Sequence, residues 1–243
     1  MNVPRFFRLV GNEIERMAAV KNSLLVIFTF IILLLMQIST IFTKDLGPEA
    51  MTFSTIISAL ILMVVGIVVF SCPAFSSDFE NKSFIFIVSK PIKRTTYYWS
   101  KATATLLVQT LTISVFSLVS MILIMIASGS FPVRLFIFLL MAIAMNFFLN
   151  GMALLFSSII NKNVISIILF FIGFGIIAAV GLSLPDNALI KLLPNYSTLI
   201  NMIGVSSPLE DVLMMTLKSI VFLLGLGIIL NYFAAVLYSK REV

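Results

Sequence analysis

The segment DFENKSFIFIVSKPIKRTTYYWSK, Asp78–Lys101, carries five of the chain's sixteen basic residues and two of its ten acids. Asp78 and Glu80 are a poor substitute for the clustered Asp or His residues that hold a metal and polarise phosphate at a membrane face, and no Asp-x-x-Asp pair occurs. Histidine is absent, which argues against haem, copper or zinc, and the single Cys72 excludes an internal disulfide. No Gly-x-x-x-x-Gly-Lys-Ser/Thr phosphate loop is present, so no nucleotide hydrolysis is expected of this chain. We therefore assign no catalytic residue, metal ligand or cofactor. What the residue types fit is contact with a partner. Phe75, Phe79 and Phe86 recur at helical spacing with Lys82 between them, and Asp78 and Glu80 fall in the first turns, where the helix dipole favours acids. Pro91 must end that helix. Thr95 or Thr96 is then expected to cap the next one, and Tyr97, Tyr98 and Trp99 to form an interfacial aromatic belt. The expected unit is a short helix and a basic elbow, with acids and aromatics turned outward and Lys and Arg holding it under the membrane.

The elements that position this segment follow from composition. The chain has 243 residues, 60% hydrophobic and only 11% charged, with a mean hydropathy of +1.16. Six runs lack Asp, Glu, Lys and Arg, and each exceeds the ~20 residues that a helix needs to cross ~30 Å of hydrocarbon. None alternates with period two, so helices satisfy the backbone in lipid. The expected fold is an all-α integral membrane protein with six transmembrane helices, at 22–43, 52–74, 102–127, 135–158, 164–184 and 214–238. Residues 1–20 form an amphipathic helix, 75–101 a cytoplasmic loop, and 185–213 an external loop holding two short helices, with a capping box at Ser207–Glu210. The first run is too long for the core of a cleaved signal peptide.

Twelve of the sixteen basic residues fall on the side that carries both termini, while the other side holds only Lys44, Arg134, Lys191 and Lys218. That bias predicts cytoplasmic termini. The same dispersion argues against a nucleic-acid footprint. In the first helix, Phe6, Val10, Ile14 and Met17 make one stripe with Arg5, Arg8, Glu15 and Arg16 largely opposite, so it is expected to lie on membrane lipids, apolar side down.

Without charge at membrane depth, the spans do not resemble those of a proton carrier or ion pump. Gln37, Gln109, Asn146, Asn150 and Asn231 remain as polar groups. Asn146 and Asn150 share a helix face, where they either bond between helices or, with Gln109, line a translocation path. Gly175, Ala179 and Ser183 form a small-residue seam expected to pack.

The order of an acid, an apolar run, Ser-Lys-Pro-Ile-Lys-Arg, tyrosines and Lys resembles the segment after the second span of type-2 ABC exporter permeases. Glu80 matches the acid, Pro91 the proline, Arg94 the arginine and Lys101 the lysine; Ser100 stands where glycine is usual, and Asn-Lys-Ser-Phe replaces x-x-Gly-Thr. LLPNYSTLIN in the external loop is similar to permeases grouped with nitrous-oxide-reductase maturation transporters. The resemblance implies a permease in a prokaryotic cytoplasmic membrane, paired with a second permease copy, identical or not, and driven by a separate ATPase subunit that binds the ATP and Mg. It implies that the 75–101 helix couples to that ATPase through Asp78, Phe79, Glu80, Lys82 and Phe86, with Arg94 and Lys101 positioning the elbow. Two other readings stand beside it: a non-catalytic scaffold or channel subunit, and a membrane-embedded lipid-modifying enzyme.

Overall fold

A computed structural model describes residues 3–19, 23–42, 48–82, 92–183 and 209–241. The helices are α1 (Val3–Ala19), α2 (Ser23–Phe42), α3 (Pro48–Gly66), α4 (Pro73–Glu80), α5 (Arg94–Ser128), α6 (Val133–Ile159), α7 (Asn163–Ser183) and α8 (Leu209–Lys240). A π-helical turn, Ile67–Ser71, joins α3 to α4, and no strand occurs among the described residues. Six segments are long and apolar enough to cross a bilayer: Ser23–Thr40, Glu49–Glu80, Arg94–Ser128, Val133–Ile159, Asn163–Val180 and Leu209–Lys240. Exposed Leu24, Ile27 and Phe28 on α2, and Ile168 and Ile172 on α7, suit contact with hydrocarbon. The chain is an all-α, multi-pass membrane protein.

The core sits around α6, the most enclosed span, while α2 and α7 are the least enclosed. Helices α6 and α8 run parallel and approach closely through glycine. A Cβ on Gly227 would fall 2.5 Å from the Phe147 ring, and one on Gly151 would fall 2.6 Å from Asn231 Nδ2. Small residues let the two backbones come together where lipid offers no hydrophobic drive for association. By contrast, Gly175 on α7 meets nothing within 4 Å, and Ala179 and Ser183 are exposed. That seam is unpacked among the described residues, contrary to expectation.

Several helices run past the ends of their uncharged runs, α8 from Leu209 among them. The second span continues through the π turn into α4, and α5 begins at Arg94, with Lys93 rather than a threonine at its cap and no side-chain capping bond. At ~1.5 Å per residue, the 35 residues of α5 reach ~50 Å, well beyond the ~30 Å of hydrocarbon. The expected 75–101 loop is thus helical at both of its ends, through Glu80 on one side and from Arg94 on the other. Phe86, Pro91, the Leu-Pro-Asn motif and both expected external helices lie outside the described residues. At the far end of α5, Gly129 adopts φ +67° and donates its N–H to the Met125 carbonyl at 2.9 Å, closing the helix.

Helix α1 has its expected apolar stripe but a different resting place. Val10 and Met17 are buried, and Phe6 and Ile14 pack on the same core, so the stripe covers protein.

Candidate functional site

Of the residues singled out in the sequence, Asp78, Phe79, Arg94 and Lys101 come together where α1, α4, α5 and α8 meet, at the end of the bundle that carries the start of α1 and the end of α8. Local backbone chemistry starts α4 there. In the π turn the Cys72 N–H bonds the Ile67 carbonyl at 3.0 Å, and Pro73 follows at the first helical position, where its missing donor costs nothing. A helix start leaves N–H groups without intrahelical acceptors. Ser157 Oγ on α6 accepts two of them, from Phe75 at 2.9 Å and Ser76 at 3.1 Å. The Cys72 carbonyl takes the hydroxyls of Ser76 and, from α7, Ser166. Hydroxyls of neighbouring helices thus absorb the break, as a membrane interior requires.

Asp78 faces inward. It is 2% exposed and forms an ion pair with Lys101 Nζ of α5. Tyr97 donates its hydroxyl to Asp78 Oδ2 at 3.0 Å, and Arg16 of α1 donates to Oδ1 at 3.2 Å. Arg16 also pairs with Glu13 at 3.1 Å. Lys101 is fully buried and donates to the Ala74 carbonyl as well. Two carboxylates thus meet two cations in a low-dielectric place, the arrangement under which buried charge is tolerated. Burial pulls the Arg16 guanidinium down, but the Glu13 and Asp78 carboxylates outweigh it and leave its pKa raised.

Aromatic rings surround this network. Phe75 is buried and stacks on Tyr98, with centroids 5.1 Å apart, and lies 4.6 Å from Tyr238 of α8. The Lys101 ammonium sits 5.3 Å from the Phe75 centroid and 5.1 Å from that of Tyr97. Phe79 is half-buried against Tyr238 and covered by the Arg241 guanidinium at 3.7 Å. Arg241 donates to the Ser158 carbonyl and to Asn161, and Arg94 donates to the Arg241 carbonyl, so the C-terminal end of α8 is tied to α5 and α6. Glu80 accepts the Asn163 N–H at 3.2 Å from the start of α7.

Several expectations about orientation are corrected by this geometry. Asp78 and Phe75 face the interior, and Phe79 packs within the chain; of the acidic and basic positions on and beside α4, Glu80 and Lys82 are exposed. Tyr97 and Tyr98 belong to the core, and only Trp99 of the expected belt turns outward. Lys101 is a buried counter-ion of Asp78. The sequence reading missed Glu13, Tyr238 and Ser157. An i,i+3 Glu-Arg pair was visible at Glu13 and Arg16, but nothing local marks Asp78 as its target.

Deeper in the bundle, Gln109, Asn146 and Asn150 occupy one interhelical seam. Ser71 of the π turn accepts from Gln109 Nε2 at 2.6 Å and donates to Asn150 Oδ1, which also accepts from Thr105. Gln109 reaches the Gly66 carbonyl at 3.3 Å, and Asn146 donates to Thr110 at 3.1 Å. Gln109 Oε1 and Asn146 Oδ1 are buried with no partner among the described residues. Among those residues no three His, Cys, Asp or Glu side chains gather to hold a metal ion. No protein-family model matches the chain, and neither does any curated protein.

Proposed function

We propose that the chain is the membrane-spanning permease subunit of an ATP-driven exporter, with cytoplasmic termini, a second permease copy and a separate ATPase subunit. The observation that carries this reading is the fastening of α4. The short helix continues a span through a π turn, and Asp78 links it to α1 and α5 while Phe75 and Phe79 pack it on α8. A force applied to α4 therefore reaches several spans at once, as coupling to a motor requires. In this reading Glu80 and Lys82 offer the outer face to the ATPase. Asp78, Phe79, Lys101 and Arg94 pass on its movement from within.

The mid-span seam supports a path for an uncharged or amphiphilic cargo. Gln109 and Asn146 keep free acceptor oxygens among the described residues, and no charged side chain accompanies them. Reconstitution in vesicles tests the proposal. The purified chain alone should hydrolyse no ATP, and adding a candidate ATPase subunit of the same organism should give ATP hydrolysis that depends on both proteins. Robust hydrolysis by the isolated chain overturns the reading.

A further inference from the structure

A cavity of about 290 Å³ opens where α1, the π turn, α4, α5 and the start of α7 converge. Its wall divides by chemistry. Arg16 supplies accessible positive charge, the buried Lys101 lies behind the wall paired with Asp78, and Ser77, Asn81 and Asn163 supply neutral hydrogen-bonding groups. Met17, Val69 and Phe70 supply an apolar side.

The charge is one-sided for a structural reason. Arg16, Lys101, Glu13 and Asp78 balance as a set, yet no carboxylate of that set lines the cavity among the described residues. The Arg16 side chain is 46% exposed, whereas Glu13 and Asp78 lie beneath it at 12% and 3%. The ion-pair network thus turns its anions inward and a cation toward the open space. Three further donors stand ready. The Ser77 hydroxyl and the side-chain amides of Asn81 and Asn163 donate to no described residue; the Asn163 side chain only accepts, from Ser76 at 2.7 Å.

We propose that this cavity binds the phosphate of an anionic phospholipid headgroup. An exposed guanidinium and neutral donors converging on one space are the partners a phosphate oxygen needs. The apolar side receives the glycerol and first methylenes. The volume is near the ~300 Å³ lower bound of small-molecule sites, so it holds a headgroup while the acyl chains stay in the bilayer. The position fits as well. Arg16 belongs to a helix outside the six spans, and Lys101 lies seven residues inside α5, ~10 Å along its axis, which is the depth of the headgroup boundary. Basic pockets between helices at that level recognise anionic lipids.

The test uses the full-length chain alone in neutral detergent, so it is independent of any ATPase. Native mass spectrometry would count lipids retained as phosphatidylglycerol or phosphatidylcholine is added, with and without inorganic phosphate. One phosphatidylglycerol should be held at least ~10-fold more tightly than phosphatidylcholine, and millimolar inorganic phosphate should not displace it. Ser77→Asp and Asn81→Asp each place a carboxylate in the cavity while leaving the Asp78 network intact, and each should weaken retention about tenfold. Asn81 is exposed, so that variant keeps the test usable if Ser77→Asp fails to fold. Equal retention of the two lipids by the wild type overturns the proposal. So does wild-type retention by Asn81→Asp, or displacement by inorganic phosphate alone.

Discussion

Asp78 sits between an ammonium, a guanidinium and a phenol, and each contributes differently. Lys101 is fully buried, so removing its counter-ion leaves a charge that neither water nor another carboxylate can reach at that spot. Asp78→Leu should therefore lower stability by ~3–5 kcal/mol, whereas Asp78→Leu combined with Lys101→Met should recover most of the loss. Arg16 is half-exposed, but it is the ion-pair partner of the buried Glu13, so Arg16→Gln should cost ~1–3 kcal/mol, less than Asp78→Leu. Chemical denaturation of the detergent-solubilised protein, run as a double-mutant cycle, checks all three. An Asp78→Leu variant as stable as wild type contradicts the network. The sequence could not show this arrangement. Hydropathy marks Asp78 as a charge at the edge of an apolar run and so turns it outward. Its neutralising partners lie 62 residues before it and 23 residues after it. Tyr97 and Tyr98 went astray for the same reason, since interfacial composition does not separate a ring facing lipid from one facing Phe75.

At the scale of elements, the π turn and the α6–α8 contact carry the most specific demands. Ser157→Ala leaves two buried N–H groups of α4 unpaired and should destabilise the protein by ~1–3 kcal/mol per group at most, with Ser157→Thr milder. Gly227→Ala must push the Phe147 ring aside, and the added methyl should cost ~1–3 kcal/mol. Gly175→Ala meets open space and should leave the thermal midpoint unchanged or raised. Thermal unfolding of these variants in one detergent ranks them, and equal midpoints for Gly227→Ala and Gly175→Ala contradict the close approach. The six apolar runs were legible because twenty uncharged residues have few alternatives to a membrane helix. Their ends were not, because charges at Asp78 and Lys101 look like boundaries when each is in fact paired inside a continuing helix. The stripe of α1 was legible as a pattern, but the surface it covers depends on where α5 begins.

For the whole molecule, sidedness and partnership remain proposals resting on the distribution of basic residues and on the fastening of α4. Sidedness predicts that Lys82→Cys, in a Cys72→Ala background, reacts with an impermeant maleimide only after permeabilisation, while Ser130→Cys at the opposite end reacts on intact cells. The reverse pattern inverts the topology.

Partnership is tested most directly by measuring the affinity of the solubilised chain for a candidate ATPase subunit of the same organism, in wild type and in Glu80→Lys. Glu80 is exposed at the end of α4 and outside the buried network, so reversing its charge leaves the fold in place. If α4 is the coupling element, wild type forms a stable complex and Glu80→Lys binds at least ~30-fold more weakly, the equivalent of ~2 kcal/mol at a contact charge. Lys82→Ala should change it less. Wild-type affinity in Glu80→Lys, or no complex at all with the wild-type chain, contradicts the claim that α4 couples this protein to a motor.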